Sequence, residues 1–319
     1  MRVALIGFGN VGRAFVELVE RKRSAFPFRI VGAHTRHGTV INKAGIASDA
    51  KLEAVVPSLE EFLERSRPEV VIEITTLNPT TGEPAISNIR AAFARGCHVV
   101  TANKGPIAHA YAALKEEARR AGVEFRFEST VMDGAPVFNM VRNNLPGVKI
   151  LGFTGALNST SKVIVAAMRA GNSMEDGIRE AQRTGVAEAD PSYDIDGWDS
   201  AAKAAALANV LMDAGVNPQD VERRGIRRLT PERVRDLARQ RKTPVLVSRG
   251  RTTPNGIRLR VRAEILDETD VIASVQGTSN ILLLHTDLMG TVGTVSISPG
   301  VPQTAYGVFS DLVDVAKSL

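Results

Sequence analysis

The 319 residues carry a net charge of +5, with 44% hydrophobic and 24% charged side chains. That mix supports sizeable cores and excludes collagen, disorder and coiled coil, and the length suits about two domains. No apolar run reaches the ~18 residues of a membrane helix. Met1-Arg2 leads straight into Val3-Ala4-Leu5-Ile6-Gly7, too brief an apolar stretch for a signal peptide, and the single cysteine, Cys97, excludes an internal disulfide framework or thiolate cage. A cytoplasmic location is the expectation. The densest basic stretch, 226–242, reads as a solvated amphipathic helix, and aromatics at 5% leave few platforms for stacking bases. Nucleic acid and membrane are therefore not expected partners, whereas small anionic molecules suit the charge.

In chain order, strands are predicted over 3–6, 28–33, 70–75, 98–101 and 124–127. Helices over 11–22, 59–66, 86–95 and 111–121 separate them. This alternation implies right-handed crossovers and a doubly wound parallel sheet. From Gly134 the texture changes. Helices over 136–143, 161–170, 173–184 and 201–214 mix with β segments over 148–156, 257–266, 269–275 and 280–284, and 250–256 reads as a turn. The expected architecture is α/β: an N-terminal Rossmann-type doubly wound sheet over 1–130 and a second α+β domain over 131–300. A C-terminal helix over 304–318, in the tail 301–319, is expected to pack back on the first domain.

Gly7-Phe8-Gly9-Asn10-Val11-Gly12 fits GxGxxG between a strand and a helix. Gly7 serves the tight turn, Gly9 the close approach of a pyrophosphate, and Gly12 the packing of helix on strand. The free amides at the helix start then face the anion. At the end of the second strand an acidic residue would bind the ribose hydroxyls, but Gly32-Ala33-His34-Thr35-Arg36-His37 has none. It presents Arg36 instead, with Lys43 nearby, and a guanidinium suits a 2′-phosphate. NADP(H) is the expected preference, with NAD(H) as the second cofactor. Thr75-Thr76 and Lys104 follow the third and fourth strands, where ligands sit in open α/β sheets. Lys104 lies in a tight ANKGP turn that gives a lysine no packing role.

Five carboxylates fall between Glu188 and Asp199, in GVAEADPSYDIDGWD. Asp199 and Lys203, four apart, share a helix face. The run Ala204 to Met212 is apolar except for Asn209, so this helix should be buried. A buried lysine needs a partner and is suited to proton transfer. Glu188 and Asp194 can receive the ammonium of an amino-acid substrate. A divalent metal is the weaker reading of the acid cluster, since no histidine is near and the spacing is not that of a calcium loop.

With GFGNVG, TANKGP, FESTVMDGAP and GVAEADPSYDIDGWDSAAK in order, the chain resembles the homoserine dehydrogenases over essentially its whole length. That resemblance implies NAD(P)-dependent interconversion of L-aspartate 4-semialdehyde and L-homoserine, on the route to threonine, methionine and isoleucine. It implies a homodimer; some members carry a C-terminal regulatory domain or a fused kinase, and at 319 residues neither is expected here. Lys203 would be the proton donor. Glu188 and Asp199 would hold substrate beside Gly185, with Asp194 in support, and Lys104 would lie near nicotinamide and substrate. Gly300 would contact the cofactor. A monovalent cation, sodium, would sit at the side chain or carbonyls of Glu128, Val131, Asp133 and Ala135. Two segments depart from the family pattern: Asn158-Ser159-Thr160-Ser161-Lys162, with a lysine where asparagine is common, and Ser298-Pro299-Gly300-Val301-Pro302. Two other readings stay open, a dehydrogenase of another small amino acid or amino aldehyde, and a non-catalytic NADP-binding sensor.

Overall fold

Val3, Ala4, Leu5, Val70, Val71, Ile72, Val99 and Val100 have no exposed surface, because parallel strands covered on both faces have no solvent side to alternate with. The computed structural model describes residues 1–55 and 57–319. It divides into one unit of Met1–Asn139 with Gly300–Leu319 and another of Met140–Pro299.

The first unit runs β1 (Arg2–Ile6), α1 (Asn10–Arg21), β2 (Arg29–Thr35), β3 (Gly38–Ile41), α2 (Leu59–Ser66), β4 (Val70–Glu73), α3 (Ala85–Ala94), β5 (His98–Thr101), α4 (Lys104–Ala121) and β6 (Phe125–Arg126). Among the described residues its sheet has six strands in the order β3-β2-β1-β4-β5-β6. All neighbours pair in parallel except β2 with β3. The edge strand β3 was not predicted, being only four residues long and joined to β2 by the tight Arg36-His37 turn. Helix α4 begins earlier than expected, at Lys104, because the Asn103 side chain accepts from Gly105 N at 3.0 Å and caps it. Lys104 therefore lies in the first turn of a helix, not in a loop. The helix is interrupted at Ala110, whose φ is −141°, which is why only its second half showed a clean helical period.

Helix α5 (Phe138–Asn144) is followed by β7 (Ile150–Ala156), α6 (Ser159–Arg169), α7 (Met174–Arg183), α8 (Ser192–Ile195), α9 (Trp198–Met212), β8 (Glu222–Arg224), α10 (Pro231–Arg239), β9 (Lys242–Thr253), β10 (Gly256–Asp267), β11 (Asn280–Thr286) and β12 (Thr291–Ser296). The second unit's six described strands run β12-β11-β7-β9-β10-β8, antiparallel except for β10 with β8. Two expectations fail here. The turn over 250–256 is mostly strand, and only Pro254 and Asn255 lie between Thr253 and its partner Gly256. Gly250 sits inside β9 because the Phe153 ring covers it; a Cβ there would lie 2.3 Å from a ring carbon. The strand over 269–275 is instead a 3-10 turn, Val271–Ser274. Asp270 caps it by accepting from Ile272 N at 2.8 Å, and Ile272 fills the core beside Ala156, Val247 and Ile281.

The last helix, α11 (Val301–Lys317), belongs to the first unit. Val308, Phe309, Leu312 and Val315 join Phe15, Val16, Val19 and Phe28 in one core. Phe309 meets the Phe26 ring edge-on at 5.4 Å between centroids, a preferred aromatic geometry. Asp311, almost wholly buried, accepts from Glu128 N at 2.7 Å and from the Asn139 amide at 3.0 Å.

Candidate active site

In the first unit the turn after β1 has the steric form that a dinucleotide requires. Gly7 has φ +102°, and a Cβ on it would lie 2.5 Å from Ile74 O. At Gly12 a Cβ would come within 3.1 Å of Ile74 Cδ1, so α1 lies close against the sheet. Gly9 faces open space, with nothing within 4 Å of its would-be Cβ, as the approach of a phosphate demands. Helix α1 has no side-chain cap and no acidic residue in its first turn. The first amides of the helix, from Asn10, Val11 and Gly12, thus keep their pull on an anion. Phe8 is buried, and the Arg13 guanidinium stacks on its ring at 4.5 Å. These residues fit a dinucleotide.

Arg36 occupies the exposed turn between β2 and β3, directly beyond the carboxyl end of β2, with its Nε on His37 Nε2 at 2.8 Å. The turn itself is tied by Thr35 Oγ1, which donates to Gly38 O and accepts from His37 N, both at 3.1 Å. At the ends of β4 and β5, Thr75 and Lys104 are half-buried and Thr76 is exposed. Between the two strand ends sits Glu73, which the sequence reading passed over. It has no exposed surface and accepts from Thr75 N at 3.1 Å, from Thr75 Oγ1 and from Thr101 Oγ1 at 2.9 Å.

Gly300 caps α11 with extended backbone, and its N–H donates to Gln303 Oε1 at 3.0 Å. In the turn after β6, Glu128 accepts from Val137 N, Phe138 N and Asn139 N at 2.5, 2.9 and 2.5 Å. Burial nevertheless pushes its carboxyl up to about 7, with the nearby Asp311 adding to the rise. Asp133, at φ +57°, accepts from Thr304 Oγ1 at 3.2 Å. Both carboxylates expected at a cation are thus engaged. Among the described residues no group of three or more His, Cys, Asp or Glu could hold a metal ion.

The second unit holds the acid–lysine cluster. Asp199 and Lys203 lie one helical turn apart on α9, Nζ to Oδ2 at 3.1 Å, and their side chains keep only 12% and 16% exposure. The ammonium also donates to Leu157 O at 2.6 Å. Two acceptors therefore aim it, on a helix whose neighbouring Ala201, Ala202, Ala204 and Ala205 are buried. Asn158, the N-cap of α6, donates to Asp194 Oδ1 at 2.6 Å and to Asp199 Oδ2 at 3.2 Å, while its own oxygen accepts from Ser161 N. Thr160 Oγ1 donates to Asp194 Oδ2 at 2.9 Å. Burial, then the charge of Asp199, raises the Asp194 carboxyl, against Asn158, Thr160 and Lys203.

Of the residues expected at the substrate, the structure brings Asp194, Asp199 and Lys203 together. Gly185 and Glu188 are exposed, and the contacts described for Glu188 involve its carbonyl, which accepts from Gln182 Nε2 at 3.3 Å. The anomalous Lys162 faces Asn280, Nζ to Oδ1 at 3.2 Å, rather than the acid cluster. Asn158 and Thr160 were flagged only as a family segment; the sequence signal for Asn158 was its spacing to Ser161, that of a helix cap.

Asn158→Ala removes a helix cap and the donor that separates two buried carboxylates. We expect a loss of about 1–3 kcal/mol of stability together with about a tenfold fall in kcat/KM. Denaturant unfolding and steady-state rates on the same preparation check both, and an unchanged kcat/KM would remove Asn158 from the site.

A dinucleotide turn on a parallel sheet, with an aimed and buried lysine–carboxylate pair in a companion domain, defines a nicotinamide-dependent dehydrogenase. Known proteins give the finer answer. The family model described as "Homoserine dehydrogenase" matches residues 136–313, and "Homoserine dehydrogenase, NAD binding domain" matches 7–128. An NAD(+)-dependent homoserine dehydrogenase from Pseudomonas canavaninivorans is 34% identical over 99% of this chain and 96% of its own. A homoserine dehydrogenase from Sulfurisphaera tokodaii is 32% identical over 98% of each. Among solved structures, the Thiobacillus denitrificans homoserine dehydrogenase superposes with a TM-score of 0.87 at 30% identity, covering 99% of this chain and 73% of that one. A hyperthermophilic archaeal homoserine dehydrogenase in complex with NADPH gives 0.84 at 28% identity, over 100% and 98%. The chain belongs to the homoserine dehydrogenase family. It is an NAD(P)-binding oxidoreductase that interconverts L-homoserine and L-aspartate 4-semialdehyde.

Proposed function

We propose that Lys203 is the proton donor to the aldehyde oxygen of L-aspartate 4-semialdehyde, and in the reverse direction the proton acceptor from the L-homoserine hydroxyl. The observation that carries this is the buried ammonium 3.1 Å from Asp199 and 2.6 Å from Leu157 O. When bound, the reduced nicotinamide supplies a hydride equivalent to the aldehyde carbon. The carbonyl oxygen then gains negative charge, and a positioned ammonium both stabilises and protonates it. The neutral amine left behind recovers its proton from solvent. Asp199 pairs with Lys203 and fixes its direction, and Asp194 with Asn158 holds Asp199. Asp194, Glu188 and Gly185 receive the amino-acid end of the substrate, and Lys104 orients it.

Phosphates would be held by the amides of Gly9, Asn10, Val11 and Gly12, with Arg36 selecting NADP(H), and Thr75, Thr76 and Gly300 lining the remainder. A sodium ion would take main-chain oxygens of Glu128, Val131, Asp133 and Ala135. The resemblance supports a homodimer working in the cytoplasm, and among the described residues no helix is long and apolar enough to cross a membrane. Loss of nicotinamide absorbance on mixing the protein with NADPH and aspartate semialdehyde tests the reading. NADPH binding without turnover would replace it with that of a cofactor-binding sensor.

A further inference from the structure

Glu73 is an uncompensated acid in the middle of the first sheet's carboxyl edge. It is wholly buried, and among the described residues it forms no ion pair. Burial raises its carboxyl above the ordinary range, while the Thr75 amide and the Thr75, Thr101 and Asn88 side chains work against that rise. Taking a carboxyl out of water costs several kcal/mol unless it is well paired. An apolar side chain of similar size would fill this place at no such cost if only packing mattered, so the carboxyl has another use.

That use is visible in its partners. Oε1 takes both donors of Thr75, the second residue beyond the end of β4. Oε2 takes the hydroxyl of Thr101, the last residue of β5, at 2.9 Å. Thr101 Oγ1 in turn accepts from Asn103 N at 3.0 Å, and Asn103 Nδ2 donates to Thr75 O at 3.2 Å. The result is a closed ring of Glu73, Thr75, Asn103 and Thr101. The remaining group of Asn103, Oδ1, accepts from Gly105 N at 3.0 Å and starts α4, so the ring also fixes the first turn that carries Lys104. Ligands of doubly wound sheets lie beyond the carboxyl ends of their strands, which is where both tied loops begin.

We propose that Glu73 is a positioning residue for the nicotinamide end of the cofactor, its two carboxyl oxygens locking the loops after β4 and β5 into one surface. The proposal rests on the functional reading above, since it takes those loops to meet the nicotinamide. Glu73 touches neither cofactor nor substrate; it acts through Thr75, Thr76 and Lys104.

Glu73→Gln keeps the size and one acceptor oxygen but turns an amide toward Thr101 or Thr75, so that a hydroxyl of the ring loses its acceptor. Thr101→Val opens the ring at the other member without touching Glu73, and Thr101→Ser keeps it closed. NADPH dissociation constants from fluorescence titration, both KM values, kcat and thermal midpoints are measured for all three and the wild type. The loss of one hydrogen bond of the ring predicts a rise of about tenfold in Kd and KM for NADPH with Glu73→Gln and with Thr101→Val. The aldehyde KM stays within about twofold, and Thr101→Ser matches the wild type. If Glu73→Gln is insoluble, the Thr101 pair decides. NADPH Kd unchanged in both ring-opening variants, or in Thr101→Val where only that variant is soluble, overturns the proposal whatever the thermal midpoints do, for Glu73 would then be scaffolding only. A wild type that binds no NADPH would instead refute the functional reading beneath it.

Discussion

Replacing Lys203 by alanine lowers kcat about 10³-fold in both directions while leaving the NADPH dissociation constant nearly unchanged. The size follows from the role: a positioned general acid contributes about 10²–10⁴-fold, and Asn158 and Thr160 are not free to take over, since both already donate to carboxylates. The substitution also leaves Asp199 and Asp194 close together without their cation. Removing one member of a buried pair is costly, about 3–5 kcal/mol where burial is complete, and the residual exposure of 12% at Asp199 places the cost below that. Part of the loss in activity then reflects lost stability rather than lost proton transfer. Lys203→Arg separates the two effects. It keeps the charge beside Asp199, and with it most of the stability, but a guanidinium does not give up its proton near neutral pH. It should fold like the wild type and remain poor in homoserine oxidation, where the group must act as a base. Steady-state rates in both directions, NADPH titration and thermal midpoints on the two variants make the test. An alanine variant within about tenfold of wild type would end the assignment; if Lys104→Ala were then the inactive one, the proton would belong to Lys104.

What could be read in the sequence is what local chemistry decides. Gly7, Gly9 and Gly12 act within six residues of one another, so their spacing already contains the turn, and the steric room at each matches its expected role. Lys203 and Asp199 were legible for the same reason, one helical turn apart in an alanine-rich helix that had to be buried. Asn158 was not, because its meaning lies in contacts to residues 36 and 41 positions away. Glu73 was hidden likewise: in sequence it is the last residue of an apolar strand, and only the pairing of β4 with β5 brings Thr101, 28 positions on, to its second oxygen. Strand β9 was obscured by Pro244 and Gly250, both strand breakers in isolation, and only the Phe153 ring above Gly250 explains why a glycine belongs there. Glu128 carries a second use that the motif alone does not reveal. A carboxylate within a family cation motif invites reading as a ligand, whereas its oxygens cap three amides at the start of α5.

We expect cofactor choice to turn on Arg36. The family does not decide it, for one relative is named as NAD(+)-dependent and one structural neighbour was solved in complex with NADPH. The decision falls to whatever stands beyond β2, and here that is the two-residue turn Arg36-His37, with no carboxylate in Thr35, Arg36 or His37 to bind ribose hydroxyls. The tie of Thr35 to Gly38 and His37 fixes the turn, so the guanidinium starts from a defined base while its exposed head can swing from His37 to a 2′-phosphate. A bidentate guanidinium–phosphate contact is worth about 1.5–3 kcal/mol, that is, about 10–100-fold in kcat/KM. Arg36→Ala should lose that factor with NADPH and change by less than about twofold with NADH, which has no phosphate to release. Arg36→Asp should go further, repelling the 2′-phosphate while offering the ribose hydroxyls an acceptor, and so favour NADH. Because an exposed ion pair weakens with salt, the wild-type KM for NADPH should rise with ionic strength more steeply than in Arg36→Ala. Rates with both cofactors at low and high salt test all of this at once. Equal efficiency with the two cofactors, untouched by Arg36→Ala, would transfer the choice to another group, Lys43 being the next cation along the chain.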